Sequence, residues 1–262
     1  MSKPGGYKFV FICGLHRSGT SPLFRILREQ PEISGFDNTG VPEDEGQHLQ
    51  SVFPPAKIHG GPGCFGFAPE AHLTEHSDLI TAENRQKLFK EWSRYWDLTK
   101  PYLLEKSPPN LIRTRFLQAI FPDSYFIVLS RHPVAVSLST SKWANLSLEV
   151  LMEHWLHCHR VFKQDCRYLR HLLVIKYEDL IQTGEMTLGK IYRFLDLTPH
   201  FSADLNPGGN ERYFSDWTKL SAESKSQPVV RRIIEKYEQE VQLYGYSLTD
   251  LRKSSPVECI EP

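Results

Sequence analysis

The sequence predicts an α/β protein, a three-layer α/β/α fold around a central parallel sheet. Two observations carry this. Four short apolar runs, residues 9–13, 102–105, 124–130 and 172–176, read as buried strands. Segments with helical apolar spacing separate them, and strands alternating with helices favour a parallel sheet with its ligand at the strands' carboxyl edge. A third observation places that ligand: a small-residue loop, residues 14–21, joins the first strand to the first helix.

The elements follow in order. After the strand at 9–13 and the loop, Leu23, Phe24, Ile26 and Leu27 mark a helical face. Residues 31–80 are rich in Gly, Pro, His and acids and read as a long irregular, substrate-facing region. A helix is expected over 81–98, with Thr81 as N-cap and Leu88, Trp92, Tyr95 and Trp96 facing inward. The strand at 102–105 turns through 106–110 into a helix over 111–120. The strand at 124–130 leads through Arg131-His132 to a helix begun by Pro133. The longest helix covers 147–170, where Leu148, Leu151, Trp155, Cys158, Phe162, Cys166 and Leu169 recur every three or four residues. His154, His157 and His159 lie on that helix but do not share a face, so they do not read as metal ligands. A strand at 172–176, a helix over 188–195, a polar loop over 206–217 and a helix over 227–244 complete the chain, with a tail over 246–262. No repeat or internal boundary divides it, so residues 1–262 read as one domain.

Lys plus Arg and Asp plus Glu are 31 each, so the net charge is zero. That argues against a general binder of nucleic acid or membrane surfaces and leaves room for a local basic pocket. The five cysteines are scattered with no Cys-x-x-Cys pair, as expected of core thiols in a reducing compartment. The N-terminus has no signal-peptide core. No apolar run approaches the roughly 18 residues that span a membrane. A cytoplasmic location is expected.

Gly14-x-x-x-x-Gly19 followed by Ser21 resembles a P-loop, so the fold is expected to be P-loop-like. The departure is informative. A nucleotide triphosphatase has Lys directly after the second glycine; here that position is Thr20, and the loop's cation is Arg17. A planar guanidinium can clamp a phosphate-like anion without a magnesium-nucleotide apparatus. The loop's inward amides and the helix N-terminus add donors.

Three strand ends carry polar groups: Gly14-Leu-His-Arg-Ser-Gly-Thr-Ser21, Glu105-Lys-Ser-Pro108, and the run from Val128 through Ser130-Arg131-His132 to Ser139. With Tyr177-Glu-Asp-Leu180 they resemble the PAPS-dependent sulfotransferases, in the branch that includes the tyrosylprotein sulfotransferases and their bacterial relatives. The resemblance covers most of residues 8–195 in motif order. It implies that the chain moves a sulfuryl group from 3′-phosphoadenosine-5′-phosphosulfate (PAPS) to a hydroxyl acceptor and releases the 3′,5′-bisphosphate, PAP. It implies that His16, Arg17, Ser18, Gly19, Thr20 and Ser21 hold the 5′-phosphosulfate. Arg131 and Ser139, eight residues apart, match the family's 3′-phosphate site, and Lys106 matches the lysine that touches the transferring group. Arg212, Tyr213 and Trp217 resemble the segment that closes over the nucleotide.

The family's general base is often a carboxylate just after the first helix. This chain departs there, reading Gly40-Val-Pro-Glu-Asp-Glu-Gly-Gln-His48. Glu45 is favoured, Glu43 second, and His48 is the outside choice. No metal is implied. The acceptor is a small molecule, a glycan or a peptide, and neither nucleic acid nor membrane is an expected partner. Two rivals stand beside this reading: a P-loop kinase, which wants Lys after Gly19 and an Asp at a strand end, and a nucleotide-binding protein without transferase activity.

Overall fold

The computed structural model describes residues 6–201 and 209–255. Five strands form one sheet: β1 (Lys8–Cys13), β2 (Ile33–Gly35), β3 (Tyr102–Lys106), β4 (Ser124–Ser130) and β5 (Leu172–Lys176). The order is β2-β3-β1-β4-β5 and every pairing is parallel. Strands β1, β3 and β4 are apolar and almost wholly buried, as a sheet covered on both faces requires.

Nine α-helices flank the sheet among the described residues. They are α1 (Thr20–Arg28), α2 (Ala82–Trp92), α3 (Thr114–Ile120), α4 (Pro133–Thr140), α5 (Leu148–Asp165), α6 (Tyr177–Gln182), α7 (Gly184–Phe194), α8 (Glu211–Ala222) and α9 (Gln227–Gln242). Their starts follow local chemistry. Thr81 Oγ1 accepts the Asn84 amide at 3.0 Å and caps α2. Ser147 Oγ caps α5 through the Val150 amide at 3.3 Å. Pro133 opens α4 with the missing N–H and fixed φ that suit a first turn.

The structure corrects several expected boundaries. The helix expected over 81–98 ends at Trp92, yet Trp96 stays in the core, its indole N–H on the Leu104 carbonyl at 3.0 Å. The helix expected over 111–120 divides into a 3-10 turn, Pro108–Ile112, and α3. The helix expected over 147–170 is α5 followed by a 3-10 turn, Cys166–Tyr168. The helix expected over 188–195 starts earlier, as α7. Most of the polar loop expected over 206–217 is the start of α8; residues 206–208 lie outside the described residues. Of the tail, 246–255 is described, and Tyr246 and Leu248 are buried; Cys259 falls outside.

The irregular region contains β2 and five 3-10 turns: Pro42–Asp44, Gly46–His48, Ala56–His59, Phe65–Phe67 and Pro69–Ala71. Phe36, Phe53, Ala56, Phe65 and Ala71 bury their side chains in the main core, so the segment is packed throughout. Among the described residues no helix is long and apolar enough to cross a membrane.

Candidate active site

Parallel register brings the polar strand ends to one edge. Ile12 pairs with Lys106, Cys13 with Val128, and Ser130 with Lys176. The chain leaves β1 toward β2 on one side, and leaves β4 toward β5 on the other. The crevice between those exits is where open α/β sheets place ligands. A cleft of about 400 Å³ opens there. His16, Arg17, Gly19, Thr20, Ser21, Arg25, Glu43, Glu45, Pro108, Arg131, Trp143, Tyr177 and Tyr213 line it.

The loop after β1 forms the floor. Arg17 sits at φ 69°, a left-handed conformation that costs a side-chain-bearing residue energy and recurs at binding sites. Gly19 caps α1 at φ 95°, and a Cβ there would stand 2.4 Å from the Tyr177 ring. The α1 amides of Thr20 and Ser21 have no intrahelical acceptor, because they belong to the first turn. The buried Ser18 hydroxyl and His16 Nδ1 have no hydrogen-bond partner among the described residues. Burial, aided by the charges of Lys106 and His48, pushes the His16 imidazole down to about 3, so the ring is neutral at pH 7.

Arg131 leaves β4 into the same cleft. Its Nη1 donates to the Arg17 carbonyl at 2.8 Å, its Nε to Asn210 Oδ1 at 2.8 Å, and its Nη2 to the Gly209 carbonyl. Its guanidinium lies 4.1 Å from the centre of the Tyr177 ring. Burial lowers the Arg131 pKa, and the neighbouring Tyr177 and Glu178 oppose that effect. Ser139, in the second turn of α4, accepts Arg17 Nε at 2.7 Å and the Tyr213 hydroxyl at 3.0 Å. The two arginines and Ser139 therefore form one connected group.

On the opposite wall Lys106 ends β3 with its side chain fully buried. Its ammonium donates to the Glu43 carbonyl at 3.0 Å and to Glu45 Oε1 at 3.1 Å. Glu45 Oε2 accepts the Gln47 amide at 2.5 Å. Glu43 is exposed at φ 53° and also lines the cleft. His48 Nε2 lies 3.9 Å from Glu45 Oε2 but is not among the lining residues; burial lowers its pKa, against the pull of Glu45.

The structure thus brings together His16, Arg17, Gly19, Thr20, Ser21, Arg131, Tyr213, Glu43 and Glu45 as cleft lining, with Ser18, Ser139 and Lys106 in direct support. Arg212 is exposed on α8 and is not among the lining residues. Trp217 is buried, its indole N–H on the Leu248 carbonyl at 3.1 Å. Sequence reasoning missed the roles of Tyr177, Asn210 and Trp143. Tyr177 opens a motif already singled out, and its ring packs between Gly19 and Arg131. Glu178 in the same motif is structural: it accepts the His132 amide at 3.0 Å and Asn210 Nδ2 at 2.7 Å. Trp143, 54% exposed, places its ring 5.3 Å from the Arg17 guanidinium.

A glycine-bearing loop at the switch point of a parallel sheet, an arginine–serine pair beside it and a lysine–carboxylate pair next to the cleft form one connected site. A model of the sulfotransferase family matches residues 10–201, and the chain belongs to that family. It is a sulfotransferase, an enzyme that moves a sulfuryl group to an acceptor. Among solved structures it is similar to sulfotransferase STF9 from Mycobacterium avium, at 12% identity and a TM-score of 0.52, covering 89% of this chain and 77% of that one. It is also similar to the sulfotransferase domain from the curacin biosynthetic pathway, at 17% identity and a TM-score of 0.49, covering 87% and 97%. The sulfotransferase from Alicyclobacillus acidocaldarius gives 18% identity and a TM-score of 0.46, covering 92% and 97%. No curated protein sequence matches the chain.

Proposed function

We propose that the transfer takes place in this cleft, with the loop of residues 16–21 and Arg17 holding the 5′-phosphosulfate of PAPS, Arg131 and Ser139 its 3′-phosphate, and Glu45 acting as the base. The donor set suits the donor molecule. It has two guanidinium groups, first-turn amides, a buried Ser18 hydroxyl unpartnered among the described residues, and Gly19, whose missing Cβ lets the Tyr177 ring close against the loop. PAPS supplies an activated sulfuryl group on a phosphate leaving group; the chain's residues supply position, charge and a proton acceptor.

The observation that carries the residue assignment is the Lys106–Glu45 pair at 3.1 Å on the wall facing Arg17. The Lys106 ammonium, bonded to the two lining residues Glu43 and Glu45, offsets negative charge on the leaving phosphate oxygen. Each Glu45 oxygen accepts one hydrogen bond and keeps a second lone pair, so the carboxylate is oriented while still able to take the acceptor's proton. Glu43, two residues away on the same wall, is the second candidate, and His48 reaches the reaction only past Glu45. The reading invokes no metal. The acceptor, whether a small molecule, a glycan or a peptide, enters from the Glu43–Glu45 side, opposite the loop, as in-line transfer requires.

Transfer from labelled PAPS to an acceptor panel tests this. Glu45→Gln should keep PAP affinity and lose about 10²–10⁴-fold in turnover, with Glu43→Gln near normal. A collapse in Glu43→Gln alone would move the base two residues, and normal rates in both would remove the carboxylate mechanism.

A further inference from the structure

Glu105, one residue before the end of β3, lies beside the cleft, yet it lines no part of it and has no partner of opposite charge within ion-pair distance among the described residues. A buried carboxylate without a salt bridge costs free energy unless its oxygens are hydrogen-bonded. Three donors meet them here. Oε1 accepts the Gly46 amide at 3.0 Å and the Ser107 hydroxyl at 2.6 Å, and Oε2 accepts Asn110 Nδ2 at 2.5 Å. Ser107 Oγ in turn accepts the Gln47 amide at 3.0 Å.

These bonds converge on the residues that follow Glu45. Gly46 is held on both sides, its N–H by Glu105 and its carbonyl by the Trp92 indole at 2.9 Å. A Cβ on Gly46 would stand 2.5 Å from Glu105 Oε1, so the approach requires glycine. Gln47, whose backbone is fixed through Ser107, uses its side chain twice: Nε2 on Glu45 Oε2 and Oε1 on the Ala56 amide at 2.8 Å. Glu45 otherwise only precedes a 3-10 turn, Gly46–His48, too short to hold a carboxylate in place by itself.

We propose that Glu105 is a positioning residue for the transfer reaction: it clamps the Gly46–Gln47 backbone and thereby holds the Glu45 carboxylate against Lys106 in the cleft wall. This rests on the reading of Glu45 as the base. The groups facing Glu105 are Cys13 from β1, Lys106 from its own strand, Glu45 from the clamped segment and Arg113 from the turn before α3. None of them replaces the three donors. A side-chain shift of about 1 Å at a reacting group can cost about 10²-fold in rate, which is the scale of loss expected when the clamp opens.

Glu105→Gln tests the clamp. The new amide keeps one acceptor oxygen and sets its NH₂ where Oε2 accepted Asn110 Nδ2, so Asn110 loses its acceptor or must turn its own amide over. The double variant with Asn110→Asp restores an acceptor there. Two readouts are taken on each variant, together with PAP affinity by calorimetry. One is amide hydrogen exchange at Gly46 and Gln47. The other is kcat for transfer from PAPS to an acceptor from the panel. Glu105→Gln should speed exchange at both amides at least tenfold and lower kcat about 10–100-fold, with PAP affinity within twofold of the parent. The double variant should recover most of both losses. Ser107→Ala, which removes one hydroxyl and leaves the charge, should show the same pattern at smaller amplitude and serves if Glu105→Gln does not fold. Unchanged exchange at Gly46 and Gln47, or unchanged kcat in a folded variant, would overturn the proposal. So would a lost kcat in Glu105→Gln beside a normal kcat in Glu45→Gln, since the clamp would then act on nothing. If the parent transfers to no acceptor, the assignment of the transfer residues fails, while the exchange measurement still decides whether Glu105 clamps the segment.

Discussion

Arg131 shows how one side chain serves fold and site together. Its three hydrogen bonds tie the end of β4 to the loop after β1 and to the start of α8. A truncation therefore costs stability as well as affinity. The clean readout is selectivity. Charge-assisted hydrogen bonds contribute about 1.5–3 kcal/mol, so Arg131→Ala should weaken PAP binding about 10–150-fold while leaving ADP, which lacks the 3′-phosphate, nearly unaffected. A parent protein that binds PAP and ADP equally, or a folded variant that keeps its preference, would refute the 3′-phosphate role. The resemblance singled out Arg17, Lys106, Arg131 and Ser139, and the parallel register gathers them at one edge of the sheet. Asn210 was not singled out. It reaches Arg131 across 79 positions, and nothing in its neighbours marks it. Arg212 was named beside Tyr213, but a helix turns successive residues to different faces: Tyr213 meets Ser139 while Arg212 is exposed.

The elements divide along the same line. Buried parallel strands are continuous apolar runs, and four of the five were visible as such. β2 was not, because three residues, Ile33–Gly35, cannot show a period. α8 was hidden behind a Pro-Gly-Gly-Asn start, and only Trp217 on it is fully buried. The irregular region was read as substrate-facing, and its turns are held by tertiary bonds such as Gly46 N–H to Glu105, which leave no local signal. The loop–helix junction after β1 was legible in full, and two glycines show what it depends on. Gly19→Ala sets a Cβ into the Tyr177 ring at φ 95°. It should reduce PAP affinity at least tenfold and lower Tm. Gly189, mid-helix in α7 with no neighbour near its missing Cβ, should gain about 0.5–1 kcal/mol as Ala, with PAP affinity unchanged. Calorimetry with PAP and thermal melts on both variants check the contrast; equal behaviour would remove the special role of Gly19.

At the scale of the whole molecule the buried titratable groups set the response to pH. Burial pushes His16, His132 and His154 down to about 3 and His159 to about 4. Two of them are held neutral by geometry as well. His132 Nδ1 accepts the Val134 amide at 3.2 Å, and His154 Nε2 accepts the Gly66 amide at 3.1 Å, bonds that a protonated nitrogen cannot accept. Their folded pKa values lie below the unfolded value of about 6.5. Between about pH 6.5 and 4 the unfolded chain therefore binds protons that the folded chain refuses, and stability drains away as pH falls. Glu105 acts the other way. Burial pushes it up to about 7, so the folded chain takes a proton there that the unfolded chain takes only near 4.5. Its contribution lowers stability as pH rises through that window. Four histidines against one carboxyl leave the unfolded chain ahead by about three protons near pH 5.5. That corresponds to a slope on the order of 4 kcal/mol per pH unit, directed toward unfolding in acid. Urea midpoints taken from pH 7.5 to 5 should fall steeply below pH 6.5, and His154→Gln, whose amide oxygen can still accept the Gly66 N–H, should flatten the slope by about one proton. A midpoint independent of pH across that range would mean that the buried histidines take up protons in the folded protein, and that the hydrogen bonds to Gly66 and Val134 do not hold them neutral.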